Sequence, residues 1–238
     1  MEKTYVYVTG GKGGIGKTTL ALALVDYLAE NRNVLLIDAD PINADSSEVY
    51  KKGKDVNVRA IRARVRSEDT GGQIDPSGLM ETINIAVSDP ADIIIIDAPA
   101  GDSILLATSG SIITSACKQA GIVSVFIWLV DSNDRTAVNA LNAAWDSIQY
   151  ADKVFLVKNY RKGSNFDFFD QNAAVINIVS SPNVVAIDLP KFASRIEEHL
   201  RIERLTWKEI ATVTPIGNRV EGQRLRTIFH QTFNEAGL

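Results

Sequence analysis

The chain has 238 residues, 45% hydrophobic and 23% charged, with a net charge of −4. That balance excludes a disordered or wholly basic chain and leaves one large α/β domain or two small ones, either able to bury a sizeable core. No apolar run approaches the roughly 18 residues of a membrane span, and a lone cysteine, Cys117, cannot close an internal disulfide, so a cytoplasmic location is expected.

Thr4 to Val8 is β-branched and aromatic and reads as a strand. No signal-peptide layout precedes it, because a glycine-rich stretch, Gly10 to Thr19, follows at once. Within that stretch Gly11, Gly16, Lys17 and Thr18 have the spacing of a phosphate cradle. Glycines let backbone N–H groups wrap phosphate oxygens, and the following helix N-terminus favours anions. Lys17 supplies a point charge and the Thr18 hydroxyl a Mg²⁺ ligand. A glycine turn that binds nothing is the bland alternative, but strand, loop and helix in order are the setting the motif needs. Lys17 to Glu30 is expected to be that helix, with Leu20, Leu24 and Leu28 on one stripe.

Val34–Asp38 reads as a strand ending in Asp38-Ala39-Asp40-Pro41. Pro41 ends the pairing, which turns Asp40 toward the ligand edge of the sheet. Val49 to Ser77 is the least regular stretch and is expected to be an elaboration without a domain of its own. Residues 51–66 hold seven cations and one acid, a net +6 against −10 for the rest, which marks either a polyanion surface or a solvated flap. Ile93–Asp97 is a strand followed by Ala98-Pro99-Ala100-Gly101. Asp97 is placed to hold Mg²⁺ or its waters, and Gly101 to offer an N–H near a γ-phosphate; helix caps or turn residues are the alternatives for both aspartates.

Cys117 is expected on an apolar helix as a core thiol. Further strands are predicted at Ile122–Val130, Lys153–Lys158 and Val184–Ile187, several nearly continuous in Val, Ile and Leu, as for strands covered on both faces. Asp134 to Gln149 reads as a helix capped by Asp134, with Val138, Leu141, Trp145 and Ile148 on its buried face. Lys191 to Ala211 and Asn218 to Ala236 read as two closing helices, with His199 and His230 structural. Strands alternating with helices predict a doubly wound, mostly parallel sheet covered on both faces, over 1–238 as one P-loop domain.

The loop Lys12-Gly13-Gly14-Ile15-Gly16-Lys17-Thr18 resembles the deviant Walker A box of the ParA/MinD superfamily. Asp38-Ala39-Asp40-Pro41 resembles its switch I, and Ile96 to Gly101 its Walker B and switch II. Phe155–Tyr160 and Ala186–Pro190 look like its adenine-side strands. Asp38 to Ala44 and the divergent second half look most like the StbB/TraL-type ATPases of conjugative plasmids. The resemblance implies an ATP/ADP site with Mg²⁺, formed by Gly11, Lys12, Gly13, Gly14, Ile15, Gly16, Lys17, Thr18 and Thr19. It implies that Lys17 binds phosphates in its own subunit while Lys12 reaches the partner's phosphates in an ATP-dependent homodimer. It further implies that Thr18 ligates Mg²⁺ with Asp97 behind it, that Asp40 orients the attacking water and that Asp38 supports the switch. Asn159 and Pro190 would then face the adenine.

The same resemblance implies a DNA-segregating ATPase, most simply one serving a plasmid, working with a DNA-binding adaptor of the ParB/StbA kind and with nonspecific DNA. Arg195, Arg201, Arg204, Arg219, Arg224 and Arg226 are the candidate phosphate contacts, though residues 191–238 are only mildly basic. A conjugation-associated scaffold ATPase and a small-molecule ATP-dependent enzyme are the alternatives. The lone cysteine excludes the superfamily's paired-cysteine iron cluster and its Cys-x-x-Cys zinc clamp in a plain homodimer. Ile42 replaces the usual Gln of switch I, and the chain's last residues leave little room for a detachable membrane helix.

Overall fold

A computed structural model describes residues 2–40, 45–51, 54–65, 75–132 and 134–238. The elements run β1 (Thr4–Gly10), α1 (Lys17–Leu28), β2 (Val34–Asp38), α2 (Asp45–Val49), β3 (Val58–Arg62), α3 (Ser77–Ser88), β4 (Ile93–Asp97) and α4 (Ser103–Ala120). They continue as β5 (Val123–Asp131), α5 (Arg135–Ile148), β6 (Lys153–Asn159), α6 (Asp167–Asp170), α7 (Ala173–Val179), β7 (Val184–Leu189), α8 (Ser194–Arg201), α9 (Trp207–Val213) and α10 (Ile216–Ala236).

The strands form one parallel sheet in the order β3-β2-β4-β1-β5-β6-β7. Side chains alternate across it, and each face fills its own core. Tyr5, Ile37, Ile94, Ile96, Phe126 and Trp128 pack with α3, α4 and α5 on one side. Val6, Val8, Leu36, Ile95, Ile127 and Phe155 pack with α1 and α8–α10 on the other. Covering both faces explains the apolar runs: Ile93–Ile96 are all buried, each isoleucine stabilising by about 1.5–3 kcal/mol. Helix α1 is buried nearly all round, because the α8–α10 layer covers what would be its outer face; the leucine stripe understates its burial.

The sequence expectations are corrected in two places. The irregular 49–77 region contains β3, which extends the sheet beyond β2 in register Val34↔Val58 to Asp38↔Arg62. Its half-exposed residues carry no clear alternation, so the pattern gave no signal. The helix expected over 191–211 is two helices, α8 and α9, broken at 202–206. Thr206 caps α9 by accepting from the Glu209 N–H while Glu209 accepts from the Thr206 N–H, a capping box that starts a new helix where periodicity alone would continue the old one. In α10, Leu225, Phe229 and Phe233 are buried, while Val220 is 55% exposed.

Candidate functional site

The carboxyl ends of β1, β2 and β4 meet at one edge of the sheet, where open α/β sheets bind ligands. Residues 10–16 span β1 and α1. Gly16 is left-handed at φ 99° and a Cβ there would lie 2.6 Å from Asn159 Nδ2, so both conformation and space demand glycine. Gly11 lies against the start of α5, where a Cβ would sit 2.4 Å from Ala137 Cα. Gly13 and Gly14 are exposed, and Ile15 is buried as the loop's apolar anchor.

Lys17 is buried, and its Nζ donates to the Lys12 carbonyl at 3.1 Å, which curls the loop around the ammonium. The Lys12 ammonium pairs with Asp134 at 3.1 Å. Asp134 Oδ1 also accepts from the Ala137 N–H at 3.0 Å, so the N-cap of α5 holds the loop's second lysine. Sequence reasoning found the cap; the ion pair needs the fold, since 122 residues separate the partners.

Asp38 and Asp97 are paired neighbours in β2 and β4 and both are buried. Asp38 accepts from the Asp40 N–H at 3.2 Å and from Ser47 N–H and hydroxyl at 2.9 and 3.0 Å. Asp97 has a buried carboxyl oxygen, Oδ1, with no hydrogen-bond partner. Burial foremost, then the Asp38 charge, pushes its carboxyl up to about 7, against the pull of the Thr18 hydroxyl and Lys17. A buried carboxyl oxygen without a donor, beside a hydroxyl at a helix N-terminus, fits a hydrated Mg²⁺. Among the described residues no cluster of three or more His, Cys, Asp or Glu forms an all-protein metal cage.

A cavity of about 160 Å³ opens over the loop, with Lys17, Thr18, Thr19, Asp40 and Ala100 in its wall. Gly101, left-handed at φ 74°, turns the chain from β4 toward α4 just beyond it. The far rim holds Arg161, Glu197 and Arg201, which the sequence reading did not place there. Arg161 pairs with Glu197 at 2.8 Å. Asn159 is buried beneath the loop: its Nδ2 donates to Ile15 O at 2.7 Å and its Oδ1 accepts from the Arg161 N–H at 3.1 Å. Pro190 is half-buried just past β7 and does not occur among the described residues lining the cavity. A wider groove of about 650 Å³ has Arg135 over the Phe168 ring, with Asp167, Gln171 and Asn172 beside them. Cys117 is buried on α4, its thiol pushed up to about 12 by burial.

The candidate phosphate contacts of the C-terminal region are engaged within the chain. Arg195 pairs with Glu198 at 2.6 Å, Arg224 with Glu221 at 2.7 Å and Arg226 with Asp26 at 2.7 Å. Arg219 donates to the Thr214 carbonyl at 3.1 Å, while Arg201 and Arg204 face Asp45. In the basic 51–66 segment Lys51 pairs with Glu48, Lys54 with Glu209 and Arg59 with Asp89; Lys52 and Arg66 lie outside the described residues, as do Pro41 to Ala44.

Parallel sheet, phosphate loop and strand-end aspartates together define a P-loop nucleotide-binding protein. Residues 6–234 match the CobQ/CobB/MinD/ParA nucleotide binding domain, and the chain belongs to that family. It is 26% identical over 228 residues to Protein MobD of Acidithiobacillus ferrooxidans, covering 95% of this chain and 94% of that one. The MinD cell division ATPase of Pyrococcus furiosus has the same fold at a TM-score of 0.61 and 17% identity, covering 99% of both chains. So does a plasmid partition protein of Borrelia burgdorferi bound to AMPPNP, at 0.57 and 16%, covering 97% of this chain and 99% of that one. Among the described residues no helix is long and apolar enough to cross a membrane.

Proposed function

We propose that this chain is a Mg²⁺-dependent ATPase that dimerises around ATP and positions or segregates plasmid DNA through an adaptor protein. The observation that carries the reading is the phosphate loop: Lys17 curled into it, Lys12 held at its rim, and the unpartnered Asp97 oxygen at its side. Lys17 and the loop N–H groups bind the β- and γ-phosphates. The Thr18 hydroxyl and Asp97 hold Mg²⁺, which when bound neutralises charge on the phosphate oxygens. Asp40 orients the attacking water, and Gly101 offers its N–H to the γ-phosphate. Lys12 leaves Asp134 and reaches the partner's phosphates, adding positive charge where the transition state spreads its negative charge. Asn159 fixes the loop that faces the nucleotide, with Pro190 near the base end. The reaction takes place in the cytoplasm, on a nucleoid if the adaptor carries it there.

The test is sedimentation with and without nucleotide, alongside phosphate release. Asp40→Ala should hold ATP and trap the dimer with turnover lowered roughly 100-fold. An Asp40→Ala chain that loses ATP binding, or a wild type that stays monomeric with ATP, refutes the reading.

A second reading, a conjugation-associated scaffold ATPase, is favoured by the engaged arginines. With Arg226 held on the buried Asp26 and Arg219 on the Thr214 carbonyl, a protein partner is the simpler link to DNA. ATP-dependent retention of DNA by the isolated chain at low salt, falling steeply as salt rises, would count against it. A small-molecule enzyme would need turnover that appears only with a metabolite.

A further inference from the structure

Arg204 is the only non-glycine residue with a positive φ, 57°, among the described residues. It lies in the break between α8 and α9, where a glycine would adopt that conformation without cost. The conformation is held from both sides. Lys54 Nζ donates to the Arg204 carbonyl at 2.6 Å and pairs with Glu209 at 3.1 Å, while the Leu205 N–H donates to His199 O at 3.0 Å. The guanidinium grips Asp45, pairing with its carboxylate and donating to its carbonyl at 3.4 Å. Arg201 Nε approaches the other carboxyl oxygen at 3.5 Å.

Asp45 begins α2, which follows the Asp38–Ala44 segment directly. Ser47, two residues on, donates twice to Asp38, and Asp45 itself lines the cavity with Lys17 and Thr18. Polar contacts from the α8–α9 corner to Asp45 and from Ser47 to the buried carboxylate beside Asp97 are thus joined through the backbone of α2. Backbone strain that the surroundings over-determine is characteristic of functional sites.

We propose that Arg204 is a positioning residue for the nucleotide site: its strained conformation aims the guanidinium at Asp45, and that clamp fixes α2 and the orientation of Asp38. The six C-terminal arginines are then not equivalent, and Arg204 acts inward on the site instead of outward on a polyanion. The inference rests on the nucleotide-site reading for its effect on turnover, but not for its effect on α2.

The experiment compares wild type with Arg204→Gly and Arg204→Lys in three measurements. Amide exchange of residues 45–49 in the nucleotide-free chain should quicken about tenfold in Arg204→Gly. Its unfolding temperature should not fall, because glycine relieves the strain. Its kcat should drop about tenfold with KM for ATP changed no more than about twofold, and Arg204→Lys should keep about half of wild-type turnover. Unchanged exchange at 45–49 overturns the clamp. Faster exchange with unchanged kcat overturns the positioning role, and a lowered unfolding temperature with unchanged kcat makes Arg204 merely structural. If the wild type binds no ATP, the function proposed above fails instead, while the exchange and unfolding arms still decide the clamp.

Discussion

Two lysines five residues apart are held by different partners, and the difference sets what each can do. Lys17 is buried against the loop's own carbonyl, whereas Lys12 is 40% exposed on a carboxylate that is itself buried. Releasing Lys12 leaves the buried Asp134 carboxylate without its cation, a cost that the partner's phosphates must offset. Asp134→Asn keeps an oxygen for the Ala137 N–H but drops the charge. It should lower the ATP concentration needed for dimerisation by roughly three- to tenfold, read by sedimentation, whereas Lys12→Ala should abolish the dimer. Asp102 offers a second test. It is fully buried between β4 and α4, accepts from the Thr9 hydroxyl at 2.7 Å, and its carboxyl is pushed up to about 6, chiefly by burial. Its folded value lies above its unfolded one, so between roughly pH 4 and 6 the folded state binds more protons. Its contribution to stability therefore declines as pH rises through that window. Asp102→Asn should remove that decline and make the chain more stable at pH 7, on the order of 1–3 kcal/mol, in urea titrations at pH 5 and 7. The motif residues were legible because phosphate chemistry fixes their spacing along the chain. Asp102, Ser47 and Arg204 were not, because their partners are brought close only by the sheet.

At the scale of elements, β1, α1, β2, β4, β5 and α5 were legible from apolar runs and caps, since burial on one or both faces leaves a pattern. Strand β3 and the α8–α9 break were not. The first is a half-exposed edge strand, and the second turns on a capping box that interrupts an otherwise amphipathic stretch. The break has a packing consequence. It lets α9 cross α10 closely at Gly222, where a Cβ would lie 2.8 Å from the Ile210 side chain and 3.2 Å from the Ala211 N. Gly222→Leu should force the helices apart and cost about 2–3 kcal/mol in urea unfolding, because overpacking a crossing cannot be relieved by rotamers alone. Thr206→Ala, which removes one half of the capping box, should cost about 1 kcal/mol.

For the whole molecule, the two-sided core gives the nucleotide edge a rigid floor, and the rim is the part built from charges: Arg161, Glu197, Arg201 and Asp45. The layered fold was legible from alternating strands and helices, whereas the pairing of the surface arginines was not, because ion pairs have no sequence period. The central strand has a further consequence, which concerns time. β1 pairs only with β4 and β5, through Thr4↔Ile93 and Thr4↔Val123, and the loop after it rests on Ala137 and on Asn159. A nascent chain therefore carries the complete phosphate-loop sequence long before it has anything to fold that loop against. At about 5–20 residues per second, roughly seven to thirty seconds of translation separate the completed loop from the arrival of Asn159. Truncations ending before that residue should be blind to ATP even though every residue of the loop is present.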